Sequence, residues 1–299
     1  MTDTSAIEST ASGVRAISVN GHQLGVLGPI GDGGTNVVFV HGITGDVEFW
    51  DDQIPQDLRG ECRWAAISLP CHYPSTPPDT FASRDITPEM FADTIGAAIR
   101  ELFGGNRVHL VGWSTGGFSS LVVAARHPDL VASVTSISGF ARGKWGNSLG
   151  MMQRIARLGL PGRLVFRYCF WSLSWYSYAF RIVFAGLGAR GVGANPLFTS
   201  GLKTMQSRFA RLNFGHMALL FGRLSGIDTS SLIRNVVAPT LVIGGVDDTV
   251  IPIQETRYVA SLLGSHELEE IPDCGHLFYC EAPDQIWPRV TEWIQQHNV

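Results

Sequence analysis

The chain has 299 residues, 45% of them hydrophobic, and a formal net charge of −4 at pH 7. That length and apolar content allow a large buried core, in one large α/β domain or two smaller ones. The mildly acidic balance gives no reason to expect nucleic acid as a partner.

The chain opens on "MTDTSAIESTASG", polar and acidic, without the basic and apolar regions of a secretory leader. Residues 1–14 are expected to form a disordered tail, and the cytoplasm is the expected compartment. The five cysteines (62, 71, 169, 274 and 280) show no paired spacing and are expected to be reduced thiols.

"TNVVFVHG" (35–42) is a short β-rich run ending in glycine, the pattern of a buried parallel strand, and "CRWAAISLP" (62–70) is a second. "TPEMFADTIGAAIRELF" (87–103) has helical periodicity, with Thr87 as N-cap and Pro88 in the first turn. Strand "RVHLVGW" (107–113), helix 116–128 and strand "VASVTSISG" (131–139) follow. After a long interval come strand "APTLVIGG" (238–245), helix 253–263, strand "HELEEIP" (266–272) and helix 281–297. Strands alternating with helices predict a mostly parallel sheet with helices on both faces. Residues 140–226 break the alternation and are read as a helical cap, dividing a core domain made of 15–139 and 227–299.

"LVGWSTGGFSS" (110–120) sets Ser114 between Gly112 and Gly116, where a strand gives way to a helix. A serine hydroxyl is a poor nucleophile unless it is exposed, beside a base, and near donors for an oxyanion. A sharp strand-to-helix turn provides exposure but crowds the backbone, and the glycines relieve the crowding. The other reading is a tight turn whose serine merely caps a helix. A nucleophile of this kind requires an acid and a histidine later in the chain. "LVIGGVDDTVIP" (241–252) ends a strand with two aspartates, and "IPDCGHLFYCEAP" (271–283) carries His276 beyond the next strand. Both lie at carboxyl ends of strands, where open α/β sheets place their chemistry.

With "HGITGDVEFW" (41–50), these motifs resemble the α/β-hydrolase superfamily, in its cap-bearing serine hydrolase branch. The resemblance runs from about residue 17 to 297, with the cap its least matched part. It implies the α/β-hydrolase fold, with Ser114 as nucleophile, His276 as general base and Asp248 as orienting acid. Pro252, four residues after Asp248, favours that residue over Asp247. The resemblance further implies oxyanion donors at the backbone N–H groups of Ile43 and Thr115. Trp113 and His41 are placed on the substrate side of the site, with His41 also read as organising its loop rather than acting as a base. His109 is expected in the core, and His22, His127 and His297 at the surface.

One segment departs from the family. Where D-x-P-G-H-G-x-S is common, this chain has "SLPCHYPST", with Ser68 for the aspartate, and Cys71 and Tyr73 for the two glycines. Cys71 is read as structural. Ser114 in place of an aspartate nucleophile excludes haloalkane dehalogenase and epoxide hydrolase chemistry. No metal-ligand cluster or phosphate loop is visible, so no cofactor or metal is expected.

Between Phe140 and Gly226 lie twelve basic residues and no Asp or Glu, leaving ten basic against 26 acidic elsewhere, a net charge of −16. The uncharged run between Arg167 and Arg181 is rich in Trp, Tyr and Phe but shorter than the roughly 20 residues a spanning helix needs. One reading packs this cap on the body with its arginines paired there. Another gives a basic, aromatic lid that meets an anionic membrane surface, or an acidic donor such as acyl carrier protein or coenzyme A.

The expected function is a serine hydrolase, cytoplasmic or peripheral at the membrane, cleaving a carboxylic ester or thioester with a hydrophobic acyl group. The alternatives are an acyltransferase with the same triad, a C–C bond hydrolase or lyase, and a non-catalytic binding protein on the same scaffold.

Overall fold

The computed structural model describes residues 13–298. Residues 1–12 of the expected tail lie outside the described residues, and Val14 already belongs to a strand.

Eight strands form one sheet: β1 (Val14–Val19), β2 (His22–Ile30), β3 (Thr35–Val40), β4 (Cys62–Ile67), β5 (Val108–Trp113), β6 (Val131–Ile137), β7 (Thr240–Gly245) and β8 (His266–Ile271). Their order is β1-β2-β4-β3-β5-β6-β7-β8. β2 runs antiparallel to both its neighbours, and the other pairs are parallel. The β1–β2 hairpin turns on Asn20-Gly21, both at positive φ, the geometry that Asn-Gly favours.

Two short helices, α1 (Glu48–Gln53) and α2 (Gln56–Glu61), join β3 to β4. α3 (Pro88–Phe103) precedes β5, and α4 (Thr115–Arg126) follows it. Thr87 caps α3 as the sequence predicts, its Oγ1 accepting the Met90 N–H at 3.2 Å. Between β6 and β7 lie α5 (Asn147–Ala156), α6 (Gly159–Trp175), α7 (Ser177–Ala185), α8 (Pro196–Phe209), α9 (Phe214–Leu224) and α10 (Ser230–Ile233). α11 (Ile253–Leu262) joins β7 to β8, and α12 (Phe278–Glu281) and α13 (Pro283–Gln296) close the chain.

Every residue of β5, β6 and β7 is buried, which explains why none of them is Asp, Glu, Lys or Arg. The chain steps outward from β3 to β4, then returns across β3 to β5. The loops that follow β3 and β5 therefore leave the sheet side by side, at the point where strand order reverses.

The helices between β6 and β7 have an aromatic core of their own. Phe170 lies 4.1 Å from Phe166, 5.2 Å from Phe209 and 5.4 Å from Phe221, centroid to centroid. The aromatic run 168–180 is not one helix: it breaks at Tyr176, between α6 and α7. Among the described residues no helix is long and apolar enough to cross a membrane.

Candidate active site

Ser114 sits between β5 and α4 with φ 55° and ψ −116°, in the left-handed range that a non-glycine residue enters only under constraint. Its N–H is held by the Ile137 carbonyl at 2.8 Å. The flanking glycines are required by space. A Cβ on Gly112 would lie 2.3 Å from the Gly116 oxygen, and one on Gly116 would lie 2.0 Å from the Val40 oxygen. Main chain so close on both sides leaves no room for a methyl group.

His276, after β8, accepts or donates at both ring nitrogens. Nε2 lies 3.0 Å from Ser114 Oγ, and Nδ1 lies 2.7 Å from Asp248 Oδ2. Asp248 Oδ1 accepts the N–H groups of Val250 (2.8 Å) and Ile251 (2.9 Å), which fixes the carboxylate plane. All three side chains are buried. Asp247 is exposed and turned away, so the proline spacing picked the residue that reaches the imidazole. Trp113 Nε1 donates to the His276 carbonyl at 3.0 Å and steadies that loop.

The loop after β3 lies against this line. A Cβ on Gly42 would fall 3.2 Å from Ser114 Cβ. Among the described residues, neither the Ile43 N–H nor the Thr115 N–H has a hydrogen-bond partner. Two histidines shape the loop from beneath. His41 Nε2 accepts the Leu69 N–H at 3.1 Å, so its Nδ1 carries the proton and donates to the Gly42 carbonyl at 2.8 Å. His72 Nε2 accepts the Thr44 N–H at 3.3 Å. Burial holds both rings neutral, His41 down at about 4.

The expectation that His41 contacts substrate is therefore corrected: it is fully buried under the loop and does not line the cavity, whereas Trp113 does. His109 is a core residue bonded to Ser133 Oγ at 2.8 Å, as expected. His22 is buried against Phe81, not at the surface, because the β1–β2 hairpin folds over it. Cys71 occupies positive φ (68°), the backbone state that the family's glycine serves, and burial pushes its thiol up to about 12.

Ser114 and His276 open on a cavity walled by Ile43, Phe49, Trp113 and Tyr279 from the body, and by Leu149, Phe184, Met205 and Phe209 from α5, α7 and α8. Its volume is about 60 Å³. It is thus a narrow apolar slot.

One sequence reading paired arginines of 140–226 with the body, but it missed which carboxylates meet them at this slot. Arg211 reaches Asp46 (2.8 Å) and Glu48 (2.6 Å), and Arg208 reaches Asp52 (2.6 Å). This network ties α8 to the loop after β3. Burial raises the Asp46 carboxyl, opposed by both guanidinium groups. Glu281 was also missed: its carboxylate accepts the N–H groups of Leu277 (2.8 Å) and Ala189 (2.5 Å), joining the histidine loop to the chain after α7. The only sequence signal for these contacts was the charge asymmetry of 140–226, which names no partners.

A sequence profile of the alpha/beta hydrolase fold matches residues 35–283, and the chain belongs to that family. It is 27% identical over 276 residues to the dihydrolipoyllysine-residue acetyltransferase component of the acetoin cleaving system of Pseudomonas putida, covering 89% of this chain and 65% of that protein. It is 22% identical to the biotin biosynthesis bifunctional protein BioHC of Teredinibacter turnerae, over 87% of this chain and 44% of that one. The chain thus spans between about two fifths and two thirds of the length of these relatives. The crystal structure of the esterase RhEst1 from Rhodococcus superposes with a TM-score of 0.76 at 22% identity, covering 96% of this chain and all of that one, and so has the same fold.

Proposed function

We propose that the protein is a serine hydrolase acting on a carboxylic ester or thioester with a hydrophobic acyl group. The observation that carries this reading is the hydrogen-bonded line Ser114–His276–Asp248 opening on an apolar slot. In the first half-reaction His276 Nε2 takes the hydroxyl proton as Ser114 Oγ attacks the acyl carbon. Asp248 holds the imidazole with Nδ1–H toward itself and stabilises the imidazolium. The N–H groups of Ile43 and Thr115 donate to the developing oxyanion, aided by the positive end of α4. The tetrahedral intermediate collapses, His276 protonates the leaving alcohol or thiol, and an acyl-Ser114 ester remains. Water then attacks that ester with His276 as base, releasing the acid and restoring the serine.

The narrowness of the slot favours a second reading, transfer of the acyl group to an acceptor other than water. The name of the Pseudomonas putida relative, an acetyltransferase component, agrees with it.

The test is a graded series of nitrophenyl esters and acyl thioesters, short to long, with wild-type protein and Ser114→Ala. Serine-dependent release of acid, rising with acyl length, is the expected result. Turnover by clean Ser114→Ala protein would refute the assignment. A stable mass increment on Ser114 with little free acid would move the transferase reading to the front.

A further inference from the structure

A cap helix that only packs on the body should be apolar on one side, but α6 is apolar on two. Its inner side buries Gly162, Phe166 and Phe170. Its outer side presents Leu160, Leu164, Tyr168, Trp171 and Trp175, all exposed. At 3.6 residues per turn these five positions fall within an arc of roughly 80°, a continuous stripe facing away from the protein. α7 extends it with Tyr178 and Ile182, and Trp175 and Tyr178 are 71% and 79% exposed. Isolated exposed apolar side chains are ordinary, but a contiguous aromatic stripe marks an interaction surface.

The charges around the stripe identify the partner. Arg163 and Arg167 lie on α6, Arg181 on α7 and Arg157 just before α6, and none has a carboxylate within ion-pair distance among the described residues. By contrast, Arg208, Arg211 and Arg142 of the same segment are engaged by Asp46, Glu48, Asp52 and Glu255 of the body. Of the cations left over, Arg167 lines a groove with Leu164, Tyr168 and Trp171, so positive charge stands at the aromatic stripe. Tryptophan and tyrosine with an apolar body and a polar tip, set among arginines, match the headgroup layer of a bilayer carrying anionic lipid.

We infer that the outer face of α6 and α7 is a docking surface for an anionic lipid bilayer. A groove lined by Leu164, Arg167, Tyr168, Trp171 and Phe214 lies within that face and sets a cation beside apolar and aromatic side chains. α7 also carries Phe184 into the catalytic cavity, so the same helix wall separates bilayer from active site. An acidic carrier protein fits less well, because the cations beside the cavity are already neutralised by the body and the stripe itself is apolar. A second copy on this face would set arginine against arginine across a two-fold axis, with no acidic residue between 140 and 226 to answer them.

The test is co-sedimentation of the full chain with vesicles of phosphatidylcholine alone or with about 30% phosphatidylglycerol, at low salt and at about 0.5 M salt. Wild-type protein is expected to partition onto the anionic vesicles at low salt at least about tenfold better than onto neutral ones, with a blue shift of its tryptophan emission. Arg157→Glu with Arg167→Glu is expected to lose that preference, and Trp171→Ser with Trp175→Ser to lose both binding and blue shift. Circular dichroism and the melting temperature establish that each variant is folded. Failure of folded wild-type protein to bind anionic vesicles overturns the inference. So does equal binding by the charge-reversed variant. A dimer that dissociates on Trp175→Ser, or salt-dependent binding of an acidic acyl carrier protein without vesicle binding, also overturns it, in favour of a protein partner.

Discussion

Asp248→Asn tests the arrangement of the three side chains at one atom. Oδ1 of Asp248 accepts two backbone N–H groups, from Val250 at 2.8 Å and Ile251 at 2.9 Å. An asparagine in the same rotamer keeps its carbonyl oxygen there, since an NH₂ would face two donors. Its NH₂ then falls where Oδ2 now lies, 2.7 Å from His276 Nδ1. Donating to Nδ1 forces the imidazole proton onto Nε2, which faces Ser114 Oγ and can no longer take its proton. The expected loss in kcat/KM is about 10⁴-fold, or ~5 kcal/mol of transition-state stabilisation. Stability should change by less than about 1 kcal/mol, because both backbone bonds survive. The assay is hydrolysis of a nitrophenyl ester, with active-site titration to count competent protein. Asp247→Asn is the control: its side chain is exposed, and kcat/KM should be unchanged. If Asp248→Asn keeps about a tenth of the activity or more, or if Asp247→Asn falls as far, the hydrogen-bonded line is not the catalytic one.

Gly116→Ala should be destabilised by about 3 kcal/mol or more, because the new methyl group would meet the Val40 carbonyl of a central strand at 2.0 Å; a melting temperature equal to wild type would show that the turn is looser than described. Arg211→Met removes one of the two arginine partners of half-buried Glu48 and buried Asp46 and should lower stability by about 1–2 kcal/mol, with KM for long acyl substrates rising more than kcat falls. Unchanged melting and unchanged KM together would show that α8 is held by packing alone. Stability should also fall on acidification. Burial holds His109 at about 4 in the folded state against about 6.5 unfolded, so below pH 6.5 the unfolded chain binds the proton first. Its contribution is unaltered above pH 6.5 and is lost progressively as pH falls toward 4, on the order of 2 kcal/mol by pH 5. Melting curves of wild type and His109→Gln between pH 7.5 and 5 should converge as the pH falls, and parallel curves would contradict the argument.

Much of the architecture was legible because it is written locally. Thr87 and Pro88 start α3 through bonds made within one turn. The absence of Asp, Glu, Lys and Arg from β5, β6 and β7 announces burial on both faces. Gly112, Ser114 and Gly116 mark the sharp turn because only glycine tolerates main chain at 2.0–2.3 Å from its Cβ position. Even the missed hairpin had a local signature in Asn20-Gly21. The proline spacing that singled out Asp248 reflects the loop geometry that buries one aspartate and exposes its neighbour.

What the sequence left open depends on contacts between distant segments. His41 stands beside the catalytic motif in the chain, yet the fold turns it under the loop to bond Leu69. The twelve basic residues of 140–226 look equivalent in sequence. Only tertiary packing divides them into those that meet Asp46, Glu48, Asp52 or Glu255 and those with no carboxylate partner among the described residues, such as Arg167 beside exposed Tyr168 and Trp171. Helical periodicity marks which residues share a face, but which face meets protein is decided by the elements that pack beside it. α6, apolar on two sides, shows why: its pattern is satisfied twice, and tertiary structure covers one side only.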